Sequence, residues 1–229
     1  MKKKIVAFIL VFALALALGI GGTMAWLTAE SGKVVNTFTV GDINITLDEV
    51  KLDAQGEKVT DGDGKEVRVQ KNDYYVVPGS EYIKDPKVTV TAGSEDCWLF
   101  IKVTEKGGVV TVEEDGKSVE KTFDNFVTYE IDTTKWSEMP GHAGYYYYKS
   151  DNDTAVSAGE SVEILVDNKI AIKNTVTKAM SNALNADKTA NTADDVPTLV
   201  FAAAAVQSEN VADVNAAWNA LPTAFTSAS

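Results

Sequence analysis

The sequence predicts a mainly β protein, a β-sandwich or barrel with one or two accessory helices. Short segments alternate apolar and polar side chains, and turn-forming Gly, Pro and Asp residues separate them. Many short strands at such spacing are typical of sandwiches and barrels. Hydrophobic residues make up 45% of the 229 residues, which is enough for a buried core and too much for a disordered chain.

The first segment has the composition of a secretory signal peptide. Three lysines precede an apolar run over residues 5–20, and a small-x-small cleavage site ends at Ala25. The alternative is an uncleaved membrane anchor, because extending the run to Trp26 reaches the roughly 20 residues that a spanning helix needs. Glycines just before the site favour cleavage. We therefore expect residues 1–25 to be a signal peptide and residues 26–229 to form one secreted domain that begins at Trp26.

Charge and composition exclude several functional classes. The chain has 21 Lys and Arg against 33 Asp and Glu, a net charge of −12, which becomes −15 once the three N-terminal lysines are removed. This acidity argues against nucleic-acid binding, which needs clustered cations. One cysteine, Cys97, and one histidine, His142, cannot build an internal disulfide or a Cys/His metal cluster. Because Cys97 begins an apolar run, we expect its thiol to be buried.

Strands are predicted where apolar residues alternate or form short runs. The predicted segments are 37–47 with a turn at Gly41-Asp42, 88–90, 98–103, 109–112, 126–131, 145–148, 162–166 and 198–206. Turns such as Pro78-Gly79 lie between them. The charged stretch 48–73 predicts a solvated hairpin or insertion.

Two segments predict amphipathic helices. Apolar residues recur every four positions in 174–186, and at a three-four-three spacing in 210–222, with Asn210 as N-cap and Pro222 at the end. We expect both helices to pack onto the sandwich; binding of a partner is the alternative.

Calcium is the one cofactor hypothesis that the acidic residues raise. Asp61 and Asp63 begin a stretch like an EF-hand loop, but Lys65 and Glu66 occupy its fifth and sixth positions, where a ligand and a glycine are needed. The loop 187–195 carries oxygen ligands without a fixed spacing. We interpret the first stretch as a hairpin turn and the second as a solvated loop, and we predict no cofactor.

No pattern of residues predicts catalysis. Glu113 and Glu114 adjoin a turn and His142 lies in another, while HExxH, GxSxG, Walker and GxGxxG motifs are missing from the sequence. The run Tyr145–Tyr148 is suited to stacking against sugar rings, although a strand with aromatics on both faces is the favoured interpretation. We therefore predict that the protein is not an enzyme and has no catalytic, cofactor-binding or metal residues.

Several stretches together resemble the TasA/camelysin family. Residues 21–28 (GGTMAWLT) resemble signal peptides that the SipW-type signal peptidase cuts, and residues 36–49 (NTFTVGDINITLDE) are similar to the start of mature family members. Residues 78–90 are similar to the family's second strand region, and residues 204–218 are similar to its C-terminal end. The similarity therefore touches both ends and the middle of the chain.

The resemblance implies a fold, a location and partners. It implies a jelly-roll-like antiparallel β-sandwich, cleaved between Ala25 and Trp26 by a SipW-type peptidase and assembled into fibres of a biofilm matrix or a spore or cell-surface layer. Contact with the membrane would be transient, through the signal peptide. Some members carry a metallo-endopeptidase label, but a zinc site of that kind needs two histidines and His142 is the single one here.

Family fibres also imply a donor strand. Residues 26–40 are the candidate, because this segment carries large apolar side chains whose burial against another subunit would be favourable. They are Trp26, Leu27, Val34, Val35 and Phe38. The alternative is that the segment forms the first strand of its own sandwich.

The resulting prediction is a secreted, self-associating structural subunit. The alternatives are a camelysin-like metallo-endopeptidase and a soluble adhesive or carbohydrate-binding module.

Overall fold

The computed structural model describes residues 28–29, 34–40, 42–149, 155–186 and 196–227. Ala25, Trp26, Leu27 and the acidic loop 187–195 lie outside these ranges. The strands are β1 (Thr28–Ala29), β2 (Val34–Val40), β3 (Ile45–Val50), β4 (Arg68–Val69), β5 (Tyr74–Tyr75), β6 (Glu81–Ile83), β7 (Lys87–Val90), β8 (Cys97–Lys106), β9 (Val110–Glu114), β10 (Lys117–Lys121), β11 (Val127–Thr128), β12 (Trp136–Glu138), β13 (Tyr145–Tyr148), β14 (Ser161–Glu163), β15 (Lys169–Ile172) and β16 (Thr198–Gln207).

The helices are short and fewer residues are helical than extended. They are α1 (Phe123–Phe126), α2 (Lys178–Ala186), α3 (Val214–Ala220) and α4 (Thr223–Thr226), with a 3₁₀ turn at Val166–Asn168. Among the described residues, no helix is long and apolar enough to cross a membrane. The predicted mainly β class is therefore confirmed.

Two larger sheets form the body of the protein. One has the strand order β12-β13-β8-β16-β2 and the other β14-β7-β3-β4. Their inward side chains, such as Ile101 and Phe201 from the first and Leu47 and Val88 from the second, belong to one buried cluster. The sheets therefore pack face to face, as a sandwich does.

The predicted antiparallel arrangement needs one correction. Most pairings are antiparallel, but β2 pairs in parallel with β16. A parallel pair needs a long connection rather than a tight hairpin, and here almost the whole chain separates the two strands. The jelly-roll connectivity stays an expectation from the resemblance.

Smaller sheets and an arm complete the described chain. They are β11-β15-β6, β9-β10 and β1-β5. The stretch between β3 and β4 projects as a polar arm, with bridges between Leu52 and Lys58 and between Thr60 and Glu66. The predicted solvated hairpin is confirmed for this arm, but the predicted stretch 48–73 is not solvated at its ends, because Glu49, Val50 and Asn72 are buried.

Both predicted helices exist, with different boundaries. Helix α2 starts at Lys178 rather than 174, and it buries Met180 and Leu184 in the main core. Helix α3 is capped by Asp213, whose Oδ1 accepts the Ala216 N–H at 2.9 Å. Asn210 is therefore not the N-cap, since it has a φ of 62° and lies in a turn.

One predicted strand, residues 126–131, is confirmed only in part, at Val127–Thr128 and at Ile131, which forms a bridge with Leu165. Residues 123–126 are the short helix α1, and only Val127–Thr128 of the segment 126–131 is extended as a strand. Phe123 and Phe126, three positions apart, are both buried on the same side of the turn. In a strand, side chains three positions apart would point to opposite faces, so burial of both on one side fits a helical turn.

Candidate assembly site

The donor segment predicted from the sequence makes two separate strand pairings in the structure. Strand β2, which contains Val34, Val35 and Phe38, lies beside β16. Strand β1 lies antiparallel to β5, with Thr28 opposite Tyr75 and Ala29 opposite Tyr74. The side chains of the three β2 residues, like the whole of Trp26 and Leu27, lie outside the described part of the structure.

The β2 pairing is parallel and interrupted once. Phe201 is opposite Val34, and after a shift of register Ala203 is opposite Thr37 and Ala204 opposite Phe38. The side chain of Thr37 is exposed. Strand β2 is therefore held to the rest of the sheet by its pairing with β16, and its other neighbour in the chain, β3, belongs to the opposite sheet.

Strand β16 needs a partner on the side that β2 occupies. It pairs with β8 along its full length, and Leu199, Phe201, Ala203 and Ala205 are buried. An apolar strand with unpaired backbone groups at its edge is a template for another strand. Residues 198–207 are therefore an acceptor for an extended segment, and in this chain β2 fills that position.

An apolar groove lies beside the second pairing. It has a volume of about 650 Å³ and is lined by Leu52, Tyr75, Val77, Pro78 and Tyr82, with polar residues of the arm at its rim. Tyr75 is 44% exposed and Val77 37% exposed, which is unusual for large apolar side chains in this molecule. Because β1 pairs with Tyr75, the first described residues of the chain lie next to this groove.

The sequence predicted β16 as a strand over residues 198–206, but it predicted neither β5 nor the pairing of either strand with the N-terminal segment. The signal for β16 was its apolar composition, and the signal for β5 was the apolar run Tyr74 to Pro78, in which Tyr74 and Val76 are buried while Tyr75 and Val77 are exposed. Neither pattern predicts a partner strand. The alternation of apolar residues determines which face of the sheet a side chain occupies, but it does not determine which strands pair at their edges.

Cys97 is fully buried, as predicted. Its backbone pairs with Val156 and with Gln207, and its side chain lies in the main core. Burial, with a smaller contribution from Asp96, raises the pKa of the Cys97 thiol to about 12. The thiol is therefore protonated and out of reach of a partner at neutral pH.

His142 is an aromatic neighbour of the C-terminal helices. Its ring lies 4.3 Å from that of Trp218, and Trp218 also contacts Tyr145 at 5.2 Å. Among the described residues, no three His, Cys, Asp or Glu side chains form a group that could hold a metal ion. Asp61 instead accepts the N–H groups of Asp63 and Lys65 at 3.0 and 2.9 Å, which is the predicted hairpin turn.

The tyrosine run places its side chains on both faces of β13, as the favoured interpretation predicted. Tyr145 and Tyr147 belong to the cluster under α3 and α4, whereas Tyr146 and Tyr148 pack against the main core. Tyr145 is buried and is therefore not available to stack against a sugar.

A second cavity adjoins Tyr146. It has a volume of about 510 Å³, and Glu105, Glu138 and Tyr129 also line it. The Tyr129 hydroxyl donates to Glu105 at 2.8 Å, and burial together with this carboxylate raises the pKa of Tyr129. If the protein binds a carbohydrate, this cavity is the site that remains for it, because Tyr145 is buried.

The carboxylates that were considered as acid/base candidates have structural partners. Glu113 accepts a hydrogen bond from the Ser118 hydroxyl, and Glu114 pairs with Lys121 at 2.7 Å. Both lie on the β9-β10 hairpin, whose turn is formed by Asp115 and Gly116.

Comparison with protein-family models, with curated proteins and with solved structures finds no match for this chain. The resemblance to TasA/camelysin proteins therefore stays a prediction.

Proposed function

We propose that the mature chain is a structural subunit of an extracellular matrix or cell-surface fibre, assembled by strand donation. In this proposal residues 26–40 of one subunit leave their own sheet and pair with the next subunit. Backbone hydrogen bonds supply the affinity, and alternate side chains fill pockets on the acceptor. Removal of the signal peptide by a SipW-type peptidase after Ala25 frees the segment, so export and assembly are coupled.

The main support for this proposal is the way in which β2 pairs with β16. Its pairing with β16 is parallel, and its next neighbour along the chain, β3, belongs to the opposite sheet. Exchange of β2 for the same strand of another subunit would therefore keep every hydrogen bond to β16 without breaking a hairpin inside the sheet. The N-terminal segment is a suitable element for exchange between subunits.

The groove beside β5 supports the same proposal. Tyr75 and Val77 expose large apolar surfaces, and burial of a large apolar side chain stabilises by roughly 1.5–3 kcal/mol. The donor segment carries two large apolar residues, Trp26 and Leu27, immediately before the β1 pairing. Docking of these side chains in the groove of a neighbour would cover both surfaces.

Deletion of residues 26–36 from the mature protein tests the proposal. We expect the truncated protein to remain folded but to form no fibres in electron micrographs, because the segment that pairs with β5 and begins β2 is gone. Fibres unchanged by the deletion would contradict strand donation. An intact mature protein that forms no fibres at any concentration would contradict the structural role itself.

Two point variants on the same strand serve as a matched control. Phe38→Asp places a charge on an apolar residue of the donor segment, whereas Thr37→Asp changes an exposed side chain. We expect the first to abolish fibres and the second to leave them, with circular dichroism showing that both proteins are folded.

A further inference from the structure

A lysine and a glutamate form an ion pair in the interior of the protein. The Nζ atom of Lys84 lies 2.8 Å from Oε2 of Glu49, and neither side chain is exposed to solvent. The rings of Tyr74 and Phe201 lie 5.4 and 5.7 Å from the same Nζ atom. Transfer of two charges from water into such a site is costly, so a gain in stability does not by itself explain why this ion pair is buried.

The glutamate is held on both of its oxygens. Its Oε1 accepts the backbone N–H of Asn72 at 2.9 Å, while Oε2 faces the lysine. A backbone N–H on one oxygen polarises the carboxyl group and stabilises negative charge that develops there. The carbon Cδ of Glu49 is therefore placed as an electrophile next to the lysine nitrogen, in a site closed to bulk solvent.

The neighbouring carbonyl groups are engaged elsewhere. The carboxamide of Asn72 accepts the Leu52 N–H at 2.8 Å and donates to the Val50 carbonyl at 2.7 Å. The carboxylate of Asp85 pairs with Arg68 at 2.6 Å and accepts the Val50 N–H. Glu49 is therefore the acyl group that faces Lys84.

We propose that Lys84 and Glu49 condense into an intramolecular isopeptide bond once the chain has folded. A proton passes from the Lys84 ammonium to Oε2, and the amine nitrogen then attacks Cδ. Negative charge collects on Oε1, which the Asn72 N–H stabilises. The Cδ–Oε2 bond breaks, and the oxygen leaves as water with a second proton from the nitrogen.

The step balances without any cofactor. One C–N bond forms, one C–O bond breaks, and an ammonium and a carboxylate become an amide and one water molecule. The product replaces two buried charges with one neutral amide, which removes most of the cost of burying them.

The bond would act as a covalent staple. It joins positions 35 apart in the chain, and the loop that it closes contains the polar arm and β5. Closing a loop of this length restricts the unfolded chain, as a disulfide does. A chain whose single cysteine is buried has no internal disulfide to serve that purpose. This inference does not depend on strand donation.

The intact mass of the purified protein tests the proposal. We expect a mass lower than that of the sequence by one water molecule, and a protease digest containing a branched peptide that joins Lys84 to Glu49. Trypsin will not cut after Lys84, because its nitrogen is acylated. A full sequence mass with a free Lys84 side chain would overturn the proposal. Loss of ammonia, with a branch to Asn72, would overturn the choice of Glu49.

The variant Lys84→Met is the matched control. The Asp-Gly pairs at 61–62, 63–64 and 115–116 can also lose water by forming cyclic imides, and this variant keeps all of them. We expect the variant to have its full sequence mass. A water loss that persists in the variant would overturn the proposal. If the variant does not fold, the branched peptide from the unchanged protein decides the question.

Discussion

At the scale of single residues, Cys97 links burial to a measurable pH dependence. Its thiol has a pKa of about 12 in the folded protein against 9.0 for the group in water, because burial disfavours the thiolate. Above about pH 9 the unfolded chain loses this proton while the folded protein keeps it. The contribution of Cys97 to stability is therefore complete below pH 9 and is lost as the pH rises toward 12.

The variant Cys97→Ala should remove this contribution. We expect the free-energy difference between the original protein and the variant to change by about 1.4 kcal/mol for each pH unit above about pH 9. Urea unfolding at several pH values measures it, and the difference below pH 9 serves as the reference because it contains only the packing change. Parallel pH curves for the two proteins would contradict the role assigned to the thiol.

Two exposed valines offer a second test at this scale. Val77 lines the groove beside β5, whereas Val109 is 55% exposed and does not line it. We expect Val77→Asp to reduce fibre formation, since a charge in the groove opposes docking of apolar side chains. Val109→Asp should leave fibres unchanged. Both exposed substitutions should alter the free energy of unfolding by only about 0.5 kcal/mol.

Sedimentation of the two valine variants measures fibre formation. Equal yields from Val77→Asp and Val109→Asp would show that the groove is not a docking surface in the fibre. The same result would leave the pairing of β2 with β16 untouched, because the two sites are separate.

At the scale of elements, sequence patterns predicted strands better than their partners. The alternation in 88–90 and the apolar runs in 98–103 and 198–206 correspond to β7, β8 and β16. Such patterns follow from burial of one or both faces of a strand, which is local information. The parallel pairing of β2 with β16 depends on residues at opposite ends of the chain, and no local pattern contains it.

The two errors in the elements also have local causes. Helix α1 overlaps the predicted strand 126–131 only at Phe126, and a helix of four residues is too short for its period of 3.6 to be recognised from the sequence. Asn210 and Asp213 are both good cap residues, and the choice between them is made by the left-handed turn at Asn210. The donor role of residues 26–40 stays a prediction, whereas the pairings of β1 with β5 and of β2 with β16 required the structure.

In the whole molecule, the N-terminal segment pairs with two strands that are far apart in the sequence, β5 and β16. The full chain carries a net charge of −12, and the proposed cleavage after Ala25 would make it −15, so proposed subunits would repel one another at long range and assembly would require specific contacts. Strand pairing and apolar docking are contacts of that kind. The central claim is that β2 occupies the edge of β16 in a neighbouring subunit of the fibre.

Disulfide trapping between subunits tests that claim most directly. Thr37 is exposed and lies opposite Ala203, so Thr37→Cys and Ala203→Cys place two thiols at paired positions. Each substitution is made in a separate chain that also carries Cys97→Ala, and the two proteins are mixed, assembled and oxidised. The account predicts disulfide-linked dimers that contain one chain of each kind. Fibres without such dimers, in which only a doubly substituted chain closes the bond within itself, would contradict strand donation.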